Sequence, residues 1–233
     1  MWSMWYDILL QAVMILGSIF MFLWMHDIPK KLFTELHRRR NSSKYEAKRR
    51  FVVAAQFLSQ ARSASDRSLA ASAVEEADRA IALDPSDAAS HILKAMALHF
   101  QGFNASAIDS LDAALSPLAV KSLSDEEKAD ALFKRAELRI ETTRLGNKGK
   151  KKNRGEEMVV DDHDEALAAA GAEEDLVEAV KLRPGNAKAW CRLGECRKAK
   201  GMMDAAKEAF EAALKADPES KAARDGLDRL ISS

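Results

Sequence analysis

Cysteine, proline and aromatic residues are all scarce in this chain: two cysteines, five prolines and an aromatic share of 6% among 233 residues. Cys191 and Cys196 lie five positions apart on one predicted helix, so their side chains leave on different faces and no disulfide framework forms. Their spacing also fails to match a zinc ligand set. Few prolines and an excess of alanine favour helix along the whole chain. Charge of one sign is absent in net terms, since 36 basic residues face 36 acidic ones, and no global field recruits nucleic acid. There is no glycine-rich phosphate loop, no strained nucleophile turn and no pair of histidines on one helix face. The reading is therefore an all-α, non-enzymatic protein with no catalytic residue, no metal and no cofactor.

One stretch differs in kind. Ile8 to Met25 is apolar except for Gln11 and Ser18, and as a helix it rises about 27 Å. Trp2, Trp5, Tyr6 and Trp24 stand at its ends, where aromatic side chains hold a span at the two interfaces of a bilayer. Residues 1–27 are expected to be a single transmembrane anchor of the signal-anchor type, with residues 8–25 in lipid. Residues 28–44 are expected to be a basic juxtamembrane linker, carrying Lys30, Lys31, Arg38, Arg39, Arg40 and Lys44. Before the apolar run there is only Asp7, so the charge asymmetry places everything after the anchor in the cytosol. The endoplasmic reticulum and the mitochondrial outer membrane fit this pattern equally.

The remainder is periodic. Near the end stand Trp190, Leu193-Gly194, Ala206, Phe210, Ala213 and Pro218, in the order and at the spacing of W-x2-L-G…A-x3-F…P. This resembles the tetratricopeptide repeat, a helical hairpin of about 34 residues. Gly194 and Ala206 let two antiparallel helices approach, Trp190 and Phe210 fill the seam, and Pro218 stops the second helix. Arg197 stands where the family usually has tyrosine. One repeat length earlier lie Ala172, Leu176, Ala179 and Pro184, whose first helix is read as Ala129 to Ile140, with Leu132, Arg135 and Ala136 for Trp, Leu and Gly. His91, Ala95, Gly102, Ala107, Leu111 and Ala114 form a further hairpin, and Tyr45–Ser63 with Ala73, Ala77, Ala80 and Pro85 a degenerate one.

The expected fold is thus a tetratricopeptide-like helical-hairpin solenoid of three to four repeats over 45–219, preceded by a transmembrane helix. A capping helix closes it over 220–233. Residues 143–164 interrupt the third hairpin with a basic block and then an acidic one, and are read as a disordered charged insertion.

The resemblance implies an adaptor that binds proteins or acidic-apolar peptides in a concave groove lined by the first helix of each repeat. That face contains Ile92, Leu93, Met96 and Phe100, then Phe133 and Lys134, then Lys188 and Arg192, apolar at one end and basic at the other. Lys188 and Arg192 resemble one part of the carboxylate clamp with which some members grip the C-termini of 70 and 90 kDa heat-shock chaperones. The asparagines of that clamp are replaced by Met96 and Lys134. Alternatives are a scaffold subunit of a membrane complex, a partial-clamp co-chaperone or an import receptor.

Overall fold

The computed structural model describes the backbone of residues 2–25, 28–154 and 162–231, and the side chains of 5–6, 8–22, 42–144 and 171–230. Among the described residues there is no strand. The chain divides into two units, Met1–Glu46 and Ala47–Ser233.

The first unit contains helix α1, Trp2–Met25, and the start of α2, Ile28–Ala64. Ile8, Leu9, Leu10, Val13, Met14, Ile15, Leu16, Ile19, Phe20, Met21 and Phe22 of α1 are all exposed. Among the described residues no helix is long and apolar enough to cross a membrane. The structure thus does not show the expected transmembrane anchor. Residues 28–44, expected as the basic linker, are helical and form the start of α2. Lysine and arginine are good helix formers, and this stretch holds only one helix breaker, Pro29, at the second residue of α2, where a missing N–H leaves no intrahelical bond unmade.

The second unit is a run of antiparallel helical hairpins. After α2 come α3 (Arg67–Leu83), α4 (Ala88–Gln101), α5 (Asn104–Ala114), α6 (Asp125–Arg154), α7 (Asp162–Leu182), α8 (Ala187–Ala199), α9 (Met203–Ala216) and α10 (Lys221–Ile231). A short 3-10 turn, Val120–Ser122, sits between α5 and α6. Each helix packs chiefly against its neighbours in chain order, and α10 lies on both α9 and α8.

The starts and stops follow local chemistry. Asp66, Asp87 and Asn186 precede α3, α4 and α8, and each accepts a backbone N–H from the first turn through its side chain. Ser124 and Glu127 form a reciprocal cap on α6: Ser124 N–H donates to Glu127 at 2.9 Å, and Glu127 N–H donates to the Ser124 hydroxyl at 3.3 Å. At the far ends, Asp84, Arg183 and Asp217 each stand before a proline. Each donates its N–H four residues back, to Ala80, Ala179 and Ala213, at 2.9 Å.

The turns inside the hairpins repeat as well. Gly102 (φ 91°) and Gly201 (φ 75°) are left-handed, and the next residues, Phe103 and Met202, donate back to Leu98 and Arg197, each at 2.9 Å. The first hairpin makes the same turn with Ser65, φ 54°.

Small side chains bring the helices together. Ala54, Ala73, Ala77, Ala80, Ala107, Ala114, Ala172 and Ala206 have no exposed surface. Phe210, 1% exposed, is the largest fully buried side chain among the described residues.

Residues 143–154, expected as part of a disordered loop, extend α6 to Arg154, and α7 begins at Asp162. Basic residues lie at the C-terminal end of α6 and acidic ones at the N-terminal end of α7, the arrangement the helix dipole favours. Residues 155–161 lie outside the described residues.

Candidate functional site

The first helices of the hairpins, α4, α6 and α8, carry every residue expected to line the groove. At the α4 end, Leu93 is buried, packed with Ala54, Leu58, Ala73 and Ala77 of the preceding hairpin. It belongs to the core and leaves the candidate surface. Met96 and Phe100 rest half-buried on the same cluster, and Ile92 joins the next one with Ala95, Leu111 and Leu138. Phe133 of α6 is half-buried between α6, α7 and α8. Much of the apolar end therefore serves repeat-to-repeat packing.

Between α6 and α8 a depression of about 260 Å³ is lined by Lys134, Glu137, Ile140, Glu141, Arg144 and Arg192. It brings together Lys134 and Arg192 of the expected set, and leaves out Lys188, which is exposed. The basic character expected here is largely balanced. Arg192 donates Nη1 to Glu195 at 2.8 Å, and Lys134 lies 3.4 Å from Glu137. The bond to Glu195 raises the pKa of Arg192, with a further contribution from the charge of Glu137. A two-point grip on a carboxylate by Lys188 and Arg192 must therefore compete with Glu195 for one face of the guanidinium.

A second ionic cluster holds the hairpin that forms this site. Arg135 donates Nε to Asp175 at 2.8 Å and also donates Nη2 to it, and its Nη1 donates to Asp112 at 2.6 Å. Arg139 donates Nη1 to Asp175 and to the Gly171 carbonyl, both at 3.0 Å. Burial lowers the pKa of Arg135, but the bonds to Asp175 and Asp112 more than offset it and the net shift is upward. The reading of Arg135 as a stand-in for leucine missed this cluster. The available signal was an aspartate, Asp175, one 34-residue step before Ala209 at a seam position.

The last hairpin places its signature residues as expected. Leu193, Ala206, Phe210 and Ala213 are buried, and a Cβ on Gly194 would lie 2.8 Å from Cε1 of Phe210. Trp190 donates its indole N–H to the Pro184 carbonyl at 2.9 Å, and His91 Nε2 makes the equivalent contact with Pro85 at 3.2 Å. Arg197, at the family's tyrosine position, donates to the Ala205 carbonyl at 3.1 Å, as Arg139 does to Gly171. Pro218 follows the end of α9.

Residues 187–220 match the family model described as tetratricopeptide repeat. The chain carries a tetratricopeptide repeat. No curated protein matches the chain. Among solved structures, a double mutant of MamA from RS-1 aligns with 77% of this chain and 83% of its own, at 16% identity and TM-score 0.55. PilF of Pseudomonas aeruginosa aligns with 78% of this chain and 69% of its own, at 18% identity and TM-score 0.53. The first tetratricopeptide domain of RPAP3, solved with an HSP90 peptide, aligns with 64% of this chain and 94% of its own, at 22% identity and TM-score 0.47. The MamA and PilF likenesses establish an all-α solenoid of the tetratricopeptide kind. Among the described residues no group of three His, Cys, Asp or Glu is placed to hold a metal. Both cysteines are buried and unbridged; burial, with the charge of Glu195, pushes the Cys196 thiol up to about 11.

Proposed function

We propose that the chain is a protein-binding adaptor that takes up a segment of its partner in the groove between α6 and α8. The observation that carries this is the open depression of about 260 Å³ on the first helices of two successive hairpins, lined by one apolar and five charged side chains. That volume is below the range of a drug-sized ligand pocket and suits side chains of a peptide. A photo-crosslinking residue at Ile140 is expected to capture the physiological partner, whereas one at exposed Asp109 on α5 is not. A partner captured at Asp109 and not at Ile140 overturns the reading.

We further propose that α1 anchors the array to a membrane of the endoplasmic reticulum or mitochondrial outer surface, with the repeats in the cytosol. Apolar side chains exposed on all sides of α1 support this, as does Ser18, whose hydroxyl donates to the Met14 carbonyl at 2.8 Å within the helix. A hydroxyl satisfied in this way tolerates a medium without water. The protein is expected to remain in the pellet after alkaline carbonate extraction and to show no glycan at Asn41 or Asn104. Asn104 is 8% exposed and its side-chain oxygen is bonded to His99 at 2.9 Å. Release into the supernatant, or a glycosidase-sensitive shift, refutes the anchor or the orientation respectively.

A further inference from the structure

In the α6–α8 groove some charges are committed and others are not. Lys134 is paired with Glu137 and Arg192 with Glu195. Glu141 and Arg144, one turn apart on α6, line the same depression, are exposed, and take part in no ion pair among the described residues. Ile140 lies beside them, half-buried and apolar.

A carboxylate arriving at Arg192 competes with Glu195 and meets the field of Glu137. One arriving at Arg144 displaces no partner, and the same holds for a cation arriving at Glu141. Charges that already have partners contribute little new Coulomb energy, while unpaired ones at the edge of an apolar floor contribute their full share. Residues three apart on a helix are about 5–6 Å apart. Side chains at i and i+2 of an extended chain leave the same side about 6.6 Å apart. The two spacings match.

We propose that the segment this groove accepts is of mixed charge: a lysine or arginine at Glu141, a carboxylate two residues away at Arg144, and a flanking apolar side chain over Ile140. This rests on the reading of the groove as the binding surface, and it replaces the acidic-apolar peptide that the basic residues suggest on sequence alone. The pairing of Lys134 and Arg192 with neighbouring glutamates removes the excess of positive charge that an acidic peptide would need.

The test uses the full chain in detergent micelles at low salt, with a resin-bound library of nine-residue peptides randomised over Leu, Gly, Lys and Asp. Enrichment of sequences with Lys and Asp two positions apart beside a Leu is expected. The best of these should bind about tenfold more weakly to E141K, while all-acidic sequences gain. Glu141 is exposed, so E141K is expected to keep the wild-type melting temperature. Selection of uniformly acidic or uniformly basic sequences, or an unchanged selection by E141K, overturns the mixed-charge proposal while leaving the groove intact as a binding surface. Enrichment of no sequence at all overturns both readings.

Discussion

Gly226 of α10 lies directly beneath the ring of Phe210 in α9: a Cβ built on it would stand 2.5 Å from Cε1 of that ring. Gly194 of α8 approaches the same ring from the other hairpin helix, at 2.8 Å for its hypothetical Cβ. The most buried aromatic side chain is thus held between two bare backbones on different helices. Gly226→Ala is expected to cost about 1–3 kcal/mol by overpacking. Combining it with Phe210→Leu should return part of the loss, read as the midpoint of chemical unfolding. No change in midpoint for Gly226→Ala would show that α10 does not dock as described.

The cluster around Asp175 makes a different prediction. Asp175 is 4% exposed and serves both Arg135 and Arg139. Asp175→Ala should cost about 1–3 kcal/mol, because two guanidinium groups lose a shared partner while Arg135 keeps Asp112. The last hairpin has Leu193 and Ala209 at the corresponding seam positions, both buried. The double variant Arg135→Leu with Asp175→Ala should therefore be more stable than Asp175→Ala alone. Calorimetric melting of the two variants side by side checks the order.

Ser65 adopts φ 54° in the turn where the later hairpins use Gly102 and Gly201. A side chain there costs about 1–2 kcal/mol, and the greater freedom of unfolded glycine takes back about 0.4–1 kcal/mol. Ser65→Gly is expected to stabilise the protein by up to about 1.6 kcal/mol. A lower melting temperature would contradict this.

Burial raises the pKa of Cys196 to about 11, against an ordinary value of 9.0. A raised acid favours the protonated, folded form. Its contribution to stability is complete below pH 9 and is lost as pH rises from about 9 toward 11. At pH 8 a disulfide reagent should react with Cys191 and Cys196 only slowly, and promptly once guanidinium unfolds the chain. Rapid reaction of both thiols in the native protein would refute their burial.

The hairpins were legible because their punctuation is local. Gly201, Pro218 and the alanines between them act within one turn or one helix pair, so their spacing alone carries the information. His91 could be placed in register with Trp190 for the same reason, and both donate to a proline carbonyl six residues back. The charged residues were less legible, because their role depends on what lies opposite. Glu195 can be placed on the same face as Arg192 from the sequence, but that the two are bonded, at 2.8 Å, is seen only in the structure. Arg135 finds Asp175 only across a 40-residue separation. The helical extension of α6 was missed because a lysine-rich run looks the same whether it is solvated coil or solvated helix.

The two arginines at the tyrosine position close loops of very different length. Arg197 reaches the Ala205 carbonyl across 8 residues, whereas Arg139 reaches that of Gly171 across 32. Two doublings of loop length add about 1.2 kcal/mol of closure entropy, close to a tenfold change in rate. In a solenoid whose other contacts are local and fast to form, the third hairpin is expected to be the slow link. The flanking hairpins should zip first, leaving the α6–α7 joint to close last and open first.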